Sequence, residues 1–194
     1  MVKLMIPLFT IAACLAGAAL AAAADTLPKA DPFPKKELDD HIAAYMKVRK
    51  QAIKAAPPLK PKAEPEAIEA HKLALAQAIR DARKEAKQGD VFTPAIQASI
   101  TRIVASETKG KSGAPAKAAT KQGNPAIEGP AKPVVLKVNQ PYPKDEPLST
   151  VPPSILLRLP ELPKELSFRF VGRHLILHDE TAGIIVDFML NVTK

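Results

Sequence analysis

Tryptophan is absent from this chain, cysteine occurs once, and aromatic residues make up 4% of 194 positions. With so few bulky rings, a core must be assembled mainly from aliphatic side chains that each bury less surface. The single cysteine, Cys14, lies inside an N-terminal apolar run, so a chain cut after that run carries no thiol. That excludes a disulfide, a zinc–thiolate centre and a cysteine nucleophile from the remainder, which must be held by packing alone. Glycine is scarce at 8 residues, and no glycine-rich phosphate loop occurs. Ser154 and Ser167 lie in the ordered tail, but neither sits in a glycine-framed strand-to-helix elbow of the kind that exposes a nucleophile. The basic stretches lack interleaved aromatics, which together with export argues against nucleic acid as a partner.

Proline and basic residues are what the chain has in excess. There are 20 prolines, and 28 Lys and Arg stand against 20 Asp and Glu, for a net charge of +8. Removing Lys3 with an N-terminal signal leaves +7 (8 − 1). Such a surface attracts anionic partners through a non-specific field and also favours solubility.

The N-terminus reads as a secretory signal peptide over residues 1–24. Lys3 supplies a positive start, Leu4 to Leu20 is apolar, and Ala22-Ala23-Ala24 precedes Asp25, the first acidic residue. Small side chains before a polar restart are what a signal peptidase accommodates, so cleavage near Ala24 and a periplasmic or secreted location are expected. Ile11-Ala12-Ala13-Cys14 also matches a lipobox, giving a lipid anchor at Cys14 as the alternative. The run approaches the length of a membrane-spanning helix. Its second half, however, is alanine and glycine, and no basic cluster follows at once, so no stable membrane span is expected after cleavage.

The sequence predicts an α+β chain of several parts. Residues 25–36 form a linker with three prolines. A helical region over 37–107 contains two to three short helices, hairpin-like. In the first, Leu38, Ile42, Tyr45 and Ile53 share one face, with Arg49 interrupting the stripe. Pro57-Pro58 ends it. Pro65 opens the second, whose stripe is Ile68, Leu75, Ile79, Ala82 and Ala86, with Gly89 as C-cap. Thr93 caps the third, with Pro94 at its first position and Ile96, Ile100, Ile103 and Val104 inward. Residues 108–150 read as a flexible Pro/Lys/Ala-rich linker, relieved only by an apolar Val134–Val138 run that suits a short strand. Residues 151–194 read as a leucine-rich segment followed by a three-stranded antiparallel β-meander: Ser167–Val171, His174–His178 and Ile184–Leu190. Gly172-Arg173 suits a type II′ hairpin turn.

Phe170-Val171-Gly172-Arg173-His174-Leu175-Ile176-Leu177 with Thr181-Ala182-Gly183-Ile184-Ile185-Val186-Asp187 resembles the C-terminal β-hairpin of RcnB-type periplasmic proteins. That resemblance implies a role in nickel and cobalt homeostasis, although no histidine-rich or glycine-rich segment lies upstream. Lys87-Gln88-Gly89-Asp90-Val91-Phe92-Thr93-Pro94 followed by the same tail resembles an uncharacterised family of exported bacterial proteins, and implies no activity.

The best metal-ligand cluster is His174, His178, Asp179 and Glu180, but four residues of strand span about 13 Å, too far for both histidines to share one tetrahedral ion. Alternation with Leu175 and Leu177 places the two histidines in solvent. His41 suits a helix start, and His71 the edge of an apolar stripe. No catalytic residue, no metal ligand and no cofactor is therefore assigned. The expectation is a non-enzymatic exported binding module. A three-stranded sheet needs a cover, so Leu175, Leu177, Ile185 and Phe188 are the expected interaction face, for a protein partner or for self-association through the C-terminal sheet. A periplasmic metal-homeostasis protein and an envelope-associated polyanion binder are the alternatives.

Overall fold

Residues 32–109, 113–121, 135–142 and 149–193 are described by the structure, a computed structural model. The signal peptide, residues 25–31 of the first linker, Val134 and most of the 108–150 linker lie outside the described residues.

Helix α1 spans Lys35–Ala52. Glu37 in its first turn and Arg49 and Lys50 in its last complement the helix dipole. Leu38, Ile42, Tyr45, Arg49 and Ala52 form its buried stripe, so Arg49 continues the inward face instead of interrupting it. Helix α2 spans Pro65–Ala82, with proline in the first turn, where its missing N–H costs nothing. Its buried residues are His71, Leu75, Ala76 and Ile79, while Ile68 is half exposed. The helix stops at Ala82, seven residues short of Gly89 (89 − 82), so Gly89 is not its C-cap. The carbonyl of Arg83 accepts a bond from Asn139 Nδ2 at 2.8 Å, and the residues beyond are drawn to the sheet. Helix α3 spans Pro94–Thr108 and buries Ile96, Ser99, Ile100 and Val104. Thr93 stands at its N-cap without a side-chain capping bond, because its hydroxyl donates to Glu37 Oε1 at 2.6 Å and so ties α3 to α1. A further helix, α4 (Ala114–Lys121), lies within the stretch expected to be flexible. Alanine, the strongest helix former, supplies four of its eight residues.

The sheet has four antiparallel strands rather than three, in the order β1-β2-β3-β4. The additional one is the two-residue β1 (Ser149–Thr150), which pairs with Phe170 and Arg169. A single turn of helix, α5 (Pro153–Leu156), connects it to β2 (Leu166–Val171). Strands β3 (His174–Asp179) and β4 (Ile184–Met189) complete the meander. Gly172 has φ 57° and Arg173 follows at negative φ, as a type II′ turn requires. A bulge between Leu177 and His178 shifts the β3–β4 register, so that both Val186 and Asp187 of β4 lie toward the helices.

One face of the sheet and the helices share a single core. Phe168, Phe170, Leu175, Leu177, Ile184 and Val186 pack with Leu38, Leu75, Ile79, Ile96 and Ile100, and Phe92 stacks on Phe168 at 6.2 Å. On the other face, Leu136, Val138 and Tyr142 cover Val171, Ile176, Ile185 and Phe188. The run containing Leu136 and Val138 is not a strand. It leads into residues 139–142, which bond to the outer edge of β4 through Asn139 N–H to Ile185 O (2.7 Å) and Tyr142 N–H to Gly183 O (3.1 Å). All these elements belong to one unit from Pro32 to Lys194. Among the described residues no helix is long and apolar enough to cross a membrane.

Candidate functional site

Asp179, at the end of β3, has 0% of its surface exposed. A carboxylate this deep is tolerated only when donors replace the lost water. Four do so. Oδ1 accepts the backbone N–H groups of Thr181 (3.0 Å) and Ala182 (2.8 Å), which shapes the β3–β4 turn. Oδ2 accepts the Tyr45 hydroxyl (2.8 Å) and Arg49 Nε (2.7 Å), one helical turn apart on α1. The turn closes with Gly183 N–H to Asp179 O (2.7 Å), at a φ of 63°. A side chain at 183 would be strained by that positive φ and would displace the flexible end of Lys72 of α2. Burial, reinforced by the Asp179 charge, raises the Tyr45 phenol far above its ordinary value, so it remains a donor. Arg83 lies over the Tyr45 ring at 5.0 Å. Its own pKa is lowered by burial.

Asp187, in the middle of β4, is equally buried and has a different set of donors. Oδ2 accepts the N–H groups of Val91 and Phe92, both at 2.8 Å, and Oδ1 those of Gly89 (3.0 Å) and Phe188 (2.7 Å). This carboxylate therefore holds the connection between α2 and α3 against the sheet. The two aspartates are structural anchors with their acceptor capacity committed.

Beside the Asp179 anchor is a shallow, largely open cavity of about 770 Å³. Arg49, Ile53, Lys54 and Ala56 from the end of α1, Pro58 and Leu59 from the connection, and His71 from α2 form one side. Lys164, Glu165 and Thr181 form the other. His71 Nδ1 lies 2.6 Å from the Pro57 carbonyl oxygen, which only accepts, so Nδ1 carries the proton. That bond folds the proline-rich connection back on α2 and gives the cavity its outer wall. Arg49 is buried and fixed through Nε to Asp179, yet its side chain lines the cavity.

On the opposite sheet face, Ser167, His178, Glu180 and Arg169 adjoin. Ser167 donates to Glu180 Oε1, and Arg169 bonds to both Ser167 Oγ (3.0 Å) and Glu180 Oε1 (2.8 Å). With its proton on Glu180, Ser167 is not in the hydroxyl-to-imidazole arrangement that activates a nucleophile. His178 is not in solvent as alternation suggested: it is 4% exposed, set between Ser167 and Ile185 of the neighbouring strands. Its Nδ1 has no hydrogen-bond partner among the described residues and stands 3.6 Å from Glu180 Oε2. Burial lowers its pKa from 6.5, against the opposing pull of Glu180. His174 is partly buried, its pKa is also lowered by burial, and its Nδ1 accepts the Asn191 N–H at 3.1 Å.

Because both folded-state histidine pKa values are depressed, the unfolded chain binds more protons between the folded values and 6.5. Stability is thus full above 6.5 and falls as pH drops below it. Glu180, lowered overall because bonds from Ser167 and Arg169 outweigh its burial, loses its contribution in a separate window below 4.5. Urea midpoints between about pH 7.5 and pH 5.5 should fall, and His178→Gln should flatten the decline. An unchanged slope in that variant would contradict the assignment.

The four residues expected to form an interaction face are all buried within the chain and do not share a face. Leu175 and Leu177 lie under the helices, whereas Ile185 and Phe188 lie under Leu136, Val138 and Tyr142. The sheet finds its cover in its own chain, which removes the burial need that singled them out. Asp179 faces the helices, whereas His174 and His178 share the opposite face of β3 four residues apart, with Glu180 beside His178 alone, and no three His, Cys, Asp or Glu among the described residues converge where a metal could sit. The sequence names Asp179 as a candidate metal ligand, Tyr45 as a member of a helix stripe and Arg49 as its interruption, but implies an anchoring role for none of Arg49, Tyr45, Asp179 and Asp187. The available signal was a charge inside an apolar stripe or strand, at Arg49 and Asp187. The chain matches no family model, no curated protein and no solved structure.

Proposed function

We propose that this chain is an exported, non-enzymatic binding protein of the periplasm or exterior, and that its binding site is the cavity between α1, the proline-rich connection and the β3–β4 turn. The observation that carries this is the placement of Arg49. A buried cation held rigid by Asp179 lines a cavity of ligand size with an apolar wall, the combination that small-molecule sites favour. Export is supported by the order of charge, apolar run and small residues before Asp25. The polyanion-binding alternative draws on the seven lysines of residues 108–150, of which Lys109, Lys117, Lys121 and Lys137 lie among the described residues.

Two experiments test this reading. Intact-mass analysis of the protein recovered outside the cytoplasm should give a chain beginning at Asp25. Retention of Met1, or a lipid on Cys14, would contradict that processing. Fragment screening by amide chemical shifts on the Asp25–Lys194 chain should yield compounds that perturb residues around Arg49, Leu59, His71 and Thr181. A diverse library that moves none of these amides would count against the cavity as a site.

A further inference from the structure

We infer that the cavity takes an organic monoanion: a carboxylate head on an apolar body. The inference rests on the reading of this cavity as the binding site and adds its ligand class. The lining divides into two kinds of surface. Ile53, Ala56, Pro58 and Leu59 make an apolar wall, and Ile53 and Leu59 remain 38% and 43% exposed, with apolar surface still to be covered. Arg49, Lys54 and Lys164 make a cationic pole.

Charge bookkeeping sets the valence. Arg49 is balanced by Asp179, and Glu165 stands on the same rim as Lys164, so three cations face two acids, 3 − 2 = +1. One net positive charge complements a single negative charge and leaves a second one beside Glu165 unmatched. Arg49 is suited to be the anchor. Its Nε is committed to Asp179, which fixes the guanidinium plane, and a guanidinium presents further donors in a rigid fork matched to a carboxylate. A head bound there places an attached chain of several carbons along Ile53, Pro58 and Leu59.

The test is an amide chemical-shift titration of the Asp25–Lys194 chain with hexanoate, hexanol, acetate and succinate. Hexanoate should saturate shifts at residues around Arg49, Leu59, His71 and Thr181, with at least about tenfold tighter binding than hexanol, acetate or succinate. Arg49→Gln leaves Asp179 short of a partner and risks the fold, so the informative variant is Lys54→Gln/Lys164→Gln, which alters exposed residues only. It should weaken hexanoate by about fivefold to tenfold, leave hexanol unchanged and leave the melting curve unchanged. Equal binding of hexanol and hexanoate at these residues overturns the anion assignment and leaves the cavity as a neutral site, and hexanoate binding indifferent to the double variant overturns the charge balance that counts Lys54 and Lys164 in the cationic pole. If none of the four probes moves the cavity residues, the ligand class is wrong. Whether the cavity binds anything is then decided by the fragment screen.

Discussion

Replacing Asp179 with alanine should destabilise the chain by about 3–5 kcal/mol, the range for removing one partner of a buried ion pair. The loss has three components. Arg49 is left buried with its Nε unmatched, the Tyr45 hydroxyl loses its acceptor, and the N–H groups of Thr181 and Ala182 lose theirs. Arg49→Met should cost less, because Asp179 keeps its other three donors and methionine retains much of the apolar contact. Combining the two should cost less than their sum, since the second change removes a charge the first has stranded. Urea denaturation followed by far-ultraviolet circular dichroism measures all three. A cost below about 1 kcal/mol for Asp179→Ala would show that the carboxylate is not the clamp between α1 and the sheet.

Asp187→Ala should cost about 3 kcal/mol or more by a different route, with no ion pair in contact to break. Three donors of the α2–α3 connection, on Gly89, Val91 and Phe92, lose one shared acceptor, and each orphaned buried donor costs about 1–3 kcal/mol. The signature is local. Hydrogen exchange at Val91 and Phe92 should accelerate more than exchange in α1, because the loop is released while the Asp179 clamp persists. Asp187→Asn keeps one acceptor oxygen and should fall between wild type and alanine. Uniform acceleration across the chain would argue instead for a general loss of stability.

How far the sequence revealed this arrangement depended on whether the signal was local. The stripes at Leu38–Ile42–Tyr45 and Ile96–Ile100–Val104, the proline starts at Pro65 and Pro94, and the Gly172 turn all follow from neighbours a few residues apart, and each is observed. The two aspartates lie 130 positions from Arg49 and 96 from Val91, separations that periodicity does not sample. Arg49 looked like a fault in a stripe because its partner lies on the sheet. Thr93 takes the expected N-cap position, but its hydroxyl bonds to Glu37 of another helix instead of capping its own. The bulge at Leu177/His178 defeated strict alternation and, with the cover from residues 135–142, turned an apparently unpartnered sheet into one buried on both faces. The cavity was invisible for the same reason: its lining comes from four separate stretches, joined only when His71 ties back the connection through Pro57 and Asp179 draws in Arg49.

The most direct test of the central claim, that the seam between α1 and the β3–β4 turn is a binding site, is a crystal structure of the Asp25–Lys194 chain grown with hexanoate. The account predicts a carboxylate within about 3 Å of the Arg49 guanidinium, with its chain against Ile53 and Leu59. A cavity filled by Leu59 folded onto Arg49, with the ligand bound elsewhere or not at all, would contradict it.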